Sequence, residues 1–208
     1  MKSWTRRDII KNSLAMGATV AVGMGFMNVH QTQVSCIRPP GALDEEEFLS
    51  TCIRCGRCAS ACPNHCITSF TEKSGKQFSL KPGRGQDGTP VVFPRMQSCN
   101  LCTGDRGDFL RCTEACPSGA LQLVRKTPEE IQEKVSMGTA VVDTNLCHSY
   151  NGRSCGVCIR ACPFHGKALR ADIMETPVLN PDYCVGCGLC ERSCIRYPQA
   201  IFVKPREA

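Results

Sequence analysis

Apolar residues in this chain fall in short runs separated by glycine, proline and polar positions. Pro90–Phe93, Leu121–Val124, Thr139–Val142, Thr176–Leu179 and Ile201–Val203 each predict a short β-strand. Ser74–Gly88 (SGKQFSLKPGRGQDG) is polar and glycine-rich and reads as an exposed insertion or hairpin. Thr127–Glu133 (TPEEIQE) reads as a helix start, with Thr127 capping and Pro128 in the first turn. A longer stretch, residues 14–29 (LAMGATVAVGMGFMNV), is mildly apolar and rich in small residues. It falls short of the roughly 20 apolar residues that a membrane span needs.

Basic residues precede that stretch, which is the order of an export signal. Arg6-Arg7, followed by Ile9 and Ile10, matches the twin-arginine pattern. Residues 1–36 therefore read as a twin-arginine signal peptide or an N-terminal anchor. An ordinary secretory signal is the plainer alternative. No clean A-x-A cleavage site is visible, and Gln33 argues against lipidation at Cys36.

Composition changes the picture of the remainder. Of 208 residues, 42% are apolar, but 18 of those are cysteines and only 6% are aromatic. A core of Val, Ile, Leu and Phe is thin for this length, so a disulfide or metal scaffold has to be considered. Lys2, Arg6, Arg7 and Lys11 against Asp8 leave residues 1–36 with half of the net charge of +6. The remaining excess concerns solubility, and no basic stripe or aromatic motif points to nucleic acid.

The cysteines form an internal repeat. Cys52, Cys55, Cys58 and Cys62, and again Cys184, Cys187, Cys190 and Cys194, have the C-x2-C-x2-C-x3-C spacing of bacterial ferredoxins. Cys99, Cys102, Cys112 and Cys116 stretch the second gap, and Cys147, Cys155, Cys158 and Cys162 stretch the first. Three cysteines spaced two apart wrap one side of an iron–sulfur cube. Gly56, Gly156, Gly186 and Gly188 let the backbone approach it. The fourth cysteine is expected to start a helix pointing away and to ligate the partner cluster, as in two-cluster ferredoxins. Pro63, Pro117 and Pro163 follow that cysteine, and Ile195 takes the place in the last motif. The expectation is four [4Fe-4S] clusters on these sixteen cysteines.

Zinc would use one or two C-x2-C knuckles per ion and needs no third and fourth cysteine in this register. Separate disulfides would not produce the period. Cys66 reads as a small packing residue. His65, His148 and His165 sit beside complete motifs and read as hydrogen-bonding groups. Arg54, Arg57, Arg160, Arg192 and Arg196 are candidates for raising local potentials or binding a carboxylate-rich partner, against the plainer reading of solvated arginines. No nucleotide-binding loop is present, so the chain reads as a carrier and not an enzyme. The fold class is α+β: tandem ferredoxin-like two-cluster modules with small antiparallel hairpins and short helices, at residues 37–126 and 127–208. A nested pairing of the first motif with the fourth stays open.

The order of features resembles the periplasmic polyferredoxins of the NapG/MauM type. The resemblance rests on the twin-arginine start, IRPPGALDEEEFLSTCIRCGRCASACP, CTEACPSGAL, MGTAVVDTNLCHSYNGRSCGVCIRACP and CVGCGLCERSC. It covers residues 37 to about 203, and IRPPGAL and the C-x7-C of the third motif are its most specific parts. It implies a peripheral partner of a NapH-like membrane polyferredoxin acting as quinol dehydrogenase. Electrons would pass to a periplasmic c-type cytochrome or a terminal oxidoreductase such as nitrate reductase. The implied location is the periplasm, at the membrane surface, reached through the twin-arginine translocase. The alternative is an iron–sulfur subunit of a molybdenum oxidoreductase of the dimethyl sulfoxide reductase type.

Overall fold

The computed structural model describes residues 34–206. The paired arginines and the apolar stretch of the predicted export segment lie outside the described residues.

Two similar halves follow one another. The second opens with β3 (Gly138–Val142), which runs antiparallel to β6 (Ile201–Pro205) from Gly138 opposite Pro205 to Val142 opposite Ile201. Between them lies a hairpin of β4 (Leu169–Ala171) and β5 (Pro177–Leu179). The first half has the matching hairpin of β1 (Ile67–Ser69) and β2 (Pro90–Val92), with Ile67 opposite Val92. Neither β1 nor β4 stands out in the sequence, because three residues beside a cysteine motif carry no alternation to read.

Leu121–Val124 does not form the expected strand. It makes one bridge, Leu121 with Ala42, where Gln122 N donates to Gly41 O at 2.7 Å. The facing segment contains Pro39 and Pro40, which have no N–H, so the ladder cannot extend.

The Ser74–Gly88 segment is an insertion between β1 and β2 with most of its residues at least partly exposed, as expected, but it is anchored to the body. Thr71 and Ser74 close a capping box on the helical turn Glu72–Gly75, and Phe78 stacks on Phe93 at 4.5 Å between ring centroids. Gln86 is fully buried; its side chain accepts from Val34 N and Gly83 N and donates to Val34 O and Glu45. An aromatic ring and an amide with four partners hold a segment that reads as polar.

The helix over Pro128–Lys134 forms as expected, with Thr127 Oγ1 accepting from Glu130 N at 3.4 Å. Its Ile131 belongs to one apolar core with Val135 and Met137, Phe48, Leu110 and Val124 of the first half, and Val185 and Val203 of the second. The core therefore runs through both halves.

Candidate metal centres

The sixteen motif cysteines gather into four sets of four, and no set is a single motif. Cys52, Cys55 and Cys58 line a cavity together with Cys116. Cys112 stands among Cys99, Cys102 and Cys62. Cys147, Cys155 and Cys158 line a cavity with Cys194, and Cys184, Cys187 and Cys190 line one with Cys162. Each motif keeps three cysteines and lends the fourth to its neighbour. The pairing is thus tandem, first motif with second and third with fourth.

Local structure explains the geometry. Short helices over Arg57–Ala61, Arg111–Glu114, Val157–Ala161 and Leu189–Ser193 carry the third cysteine of each motif: Cys58, Cys112, Cys158 and Cys190. Three of them start from Gly56, Gly156 and Gly188, whose φ of 73°, 58° and 81° suit glycine.

The fourth cysteine closes its helix, contrary to the expectation that it starts one. Cys62, Cys162 and Cys194 are extended C-caps with ψ of 112°, 123° and 122°. At Cys62 and Cys162 the following proline disfavours helical geometry at the residue before it, so the side chain leaves toward the neighbouring set.

The stretched gaps are also structured. In the second motif Arg111 pairs with Asp105 at 2.8 Å, and Lys126 bonds the same carboxylate at 3.3 Å. In the third motif Asn151 Nδ2 donates to Cys147 O at 2.7 Å.

The sets suit a sulfur-rich, anionic group. Among the described residues no three His, Cys, Asp or Glu stand close enough to hold one metal ion. Backbone N–H groups face the sulfurs: Leu101 N to Cys99 Sγ, Leu121 N to Cys116 Sγ and Ala200 N to Cys194 Sγ, each at 3.4 Å. Ser149 and Arg196 line the third cavity, and among the described residues the buried Ser149 Oγ and Arg196 Nε have no partner.

Burial pushes the Cys58 and Cys158 thiols up to about 11 and Cys187 to about 12. These three thiols are therefore protonated near neutrality, and loading releases their protons.

Cys62 behaves differently. A bond from Cys66 pulls it down to about 5, against burial and with help from the Cys66, Asn64 and Ile67 backbone. Cys66 is buried with its Sγ 3.5 Å from Cys62 Sγ and also bonded to Cys99, so a fifth thiol sits at the second set. Its spacing, four residues past Cys62, is the only trace of this in the sequence.

His165 Nδ1 lies 3.2 Å from Cys162 O, a hydrogen-bonding role. Arg54 donates to Asp87 O and Gly85 O, and Arg160 to Glu175 and Cys155 O. Both lie at the surface and are tied to neighbouring groups of the protein.

The sets form a row. Cys99 N donates to Cys187 O at 3.0 Å, which makes the second and fourth sets direct neighbours between the halves. Shared motifs join first to second and fourth to third. The spatial order is first, second, fourth, third.

Comparison with known proteins agrees with this geometry. A family described as a 4Fe-4S dicluster domain matches residues 51–120, and a second family of the same description matches 139–195. The chain is 35% identical to the methylamine utilization ferredoxin-type protein MauM of Methylorubrum extorquens, covering 99% of this chain and 91% of that protein. It is 35% identical to the protein of the same name from Paracoccus denitrificans, over 98% and 88%. It is 33% identical to the ferredoxin-type protein NapG of Escherichia coli, over 96% and 83%. Two dicluster domains in tandem, and this likeness along almost its whole length, place the chain in the NapG/MauM family of ferredoxin-type iron–sulfur electron-transfer proteins.

Proposed function

We propose that the protein is a periplasmic electron relay holding four [4Fe-4S] clusters. The first would be held by Cys52, Cys55, Cys58 and Cys116, and the second by Cys62, Cys99, Cys102 and Cys112. The third would be held by Cys147, Cys155, Cys158 and Cys194, and the fourth by Cys162, Cys184, Cys187 and Cys190. The observation that carries the reading is the row of four thiol sets, paired by crossed fourth cysteines and joined at Cys99 and Cys187. Such clusters, when bound, supply reversible electron uptake at potentials set by burial, charge and hydrogen bonds to sulfur. The chain's own residues hold the four sites in register, exclude water from them and tune them.

The donor is a membrane quinol dehydrogenase of the NapH-like kind, and the acceptor is a periplasmic c-type cytochrome or a terminal reductase. The support is the likeness to NapG and MauM together with the paired Arg6-Arg7. Twin-arginine export moves folded, loaded proteins, which reconciles sixteen thiolate ligands with an oxidising compartment.

Anaerobic purification should give about sixteen irons per chain, four clusters of four, with matching sulfide. Zinc without sulfide, or fewer than four clusters in fully loaded protein, overturns the reading. Replacing Arg6 and Arg7 with Lys should leave loaded protein in the cytoplasm; delivery of that variant to the periplasm with its iron would sink the export route.

A further inference from the structure

The cavities of the third and fourth sets differ in what lines them. Around its cysteines the fourth is walled by Ala140, Phe164, Leu169, Leu179, Val185 and Val203, with the exposed Tyr183 at its edge; among the described residues no Arg, Lys or His lines it, and none of its lining residues has a buried unpaired donor. Glu191, on the helix that carries Cys190, accepts from Val203 N at 2.8 Å and adds no positive charge there.

The third cavity is lined by His148, Ser149 and Arg196 beside Cys147, Cys155, Cys158 and Cys194. Ser149 is 3% exposed and its Oγ has no partner, and the buried Nε of Arg196 has none either. Buried donors are almost always paired, so two orphans lining one cavity point to an acceptor there. Arg54 also lines the first set's cavity, but its guanidinium is spent on Asp87 O, Gly85 O and Cys52 O. Ser149 stands in the turn Ser149–Asn151, inside the stretched C-x7-C gap of the third motif, so the extra residues of that gap bring it to the cavity.

We infer that Ser149 and Arg196 are donors to the sulfurs of the third cluster, that they raise its reduction potential above that of the fourth, and that the third set is the electron-delivering end of the row. Reduction adds negative charge to a cluster. A buried unpaired hydroxyl donor and a guanidinium beside it stabilise that charge more than a wall that has neither. The third set already stands at one end of the spatial order, so the gradient from fourth to third points outward. The inference rests on the four-cluster reading.

The test is a redox titration of the loaded chain by electron paramagnetic resonance. The third-set signal is identified as the one altered by Cys155→Ser, and the fourth by Cys187→Ser. In the unsubstituted protein the third should reduce at the higher potential. Ser149→Ala and Arg196→Gln together should lower the third alone, by roughly tenfold in its oxidised-to-reduced ratio at fixed potential, about 59 mV for one electron. Arg196→Lys should keep part of the effect through its charge. A fourth-set potential at or above the third, or an unchanged third potential in the double variant with iron intact, overturns the inference. If the double variant loses iron, the order of the two signals in the unsubstituted protein decides alone. Fewer than four clusters in the unsubstituted protein would instead remove the reading on which the inference stands.

Discussion

Arg38 shows what one residue of IRPPGAL does. Its guanidinium forks onto Glu45 at 2.8 and 2.6 Å, donates to Thr89 Oγ1 and Pro90 O, and lies 4.7 Å from the Phe48 ring centroid. One side chain thereby joins the entry segment, the helix Glu45–Thr51, the end of the insertion and β2. Burial pushes the Glu45 carboxyl up, but bonds from Arg38 and Gln86 overcome this and hold it below its ordinary 4.5. A carboxylate with a depressed folded value contributes stability above its unfolded value, and that contribution is lost as pH falls through the folded one. Glu45→Gln should therefore cost about 1.5–3 kcal/mol at neutral pH, as for hydrogen bonds to charged groups. The gap between variant and parent in thermal midpoint should narrow progressively below pH 4.5. A gap that stays constant into acid would show that the charge of Glu45 contributes nothing.

The cysteine-bearing helices run only four or five residues, from Arg111–Glu114 to Leu189–Ser193, far too short to persist alone. They hold because their ends are anchored by neighbouring elements. Gly186 marks such an anchor: Met137 N donates to Val185 O at 3.0 Å, and a Cβ on Gly186 would stand 2.4 Å from the backbone N and O of Gly138. Backbone cannot swing aside as a side chain can. With φ at +71°, Gly186→Ala also meets the left-handed penalty of roughly 1–2 kcal/mol before any clash is counted. The variant should melt at lower temperature and lose iron from the fourth set first, read as selective loss of the signal that Cys187→Ser alters. Equal loss from all four sets would mean that Gly186 acts on the whole fold and not on this contact.

For the whole molecule, the crossing of fourth cysteines makes each half one unit around two sites. Cys116 lies in the second motif's segment yet stands with Cys52, Cys55 and Cys58. Cys116→Ser should therefore alter the same paramagnetic signal as Cys55→Ser, and Cys112→Ser a different one. Should Cys116→Ser and Cys112→Ser alter the same signal, each motif would keep its own cluster and the row would be wrongly drawn. Among the described residues no helix is long and apolar enough to cross a membrane.

Much of this was legible in the residues. Cysteine spacing is a local property, so the grouping of three cysteines of a motif in one set, the glycines beside them and the fourfold repeat of the motif can be read directly. The helix capped by Thr127 can be read for the same reason, since cap and partner are three residues apart. Hydrophobic runs marked β2, β3, β5 and β6, but Leu121–Val124 failed because Pro39 and Pro40, some eighty positions earlier, cannot supply its ladder. Long-range packing alone decided the rest. The ferredoxin spacing leads one to expect that a fourth cysteine serves a partner set, but spacing within a motif does not say which motif is the partner. The reach of Cys116 to the first set and the placing of Ser149 in the third cavity depend on segments brought together within one half, and the junction of Cys99 with Cys187 on the core that both halves share.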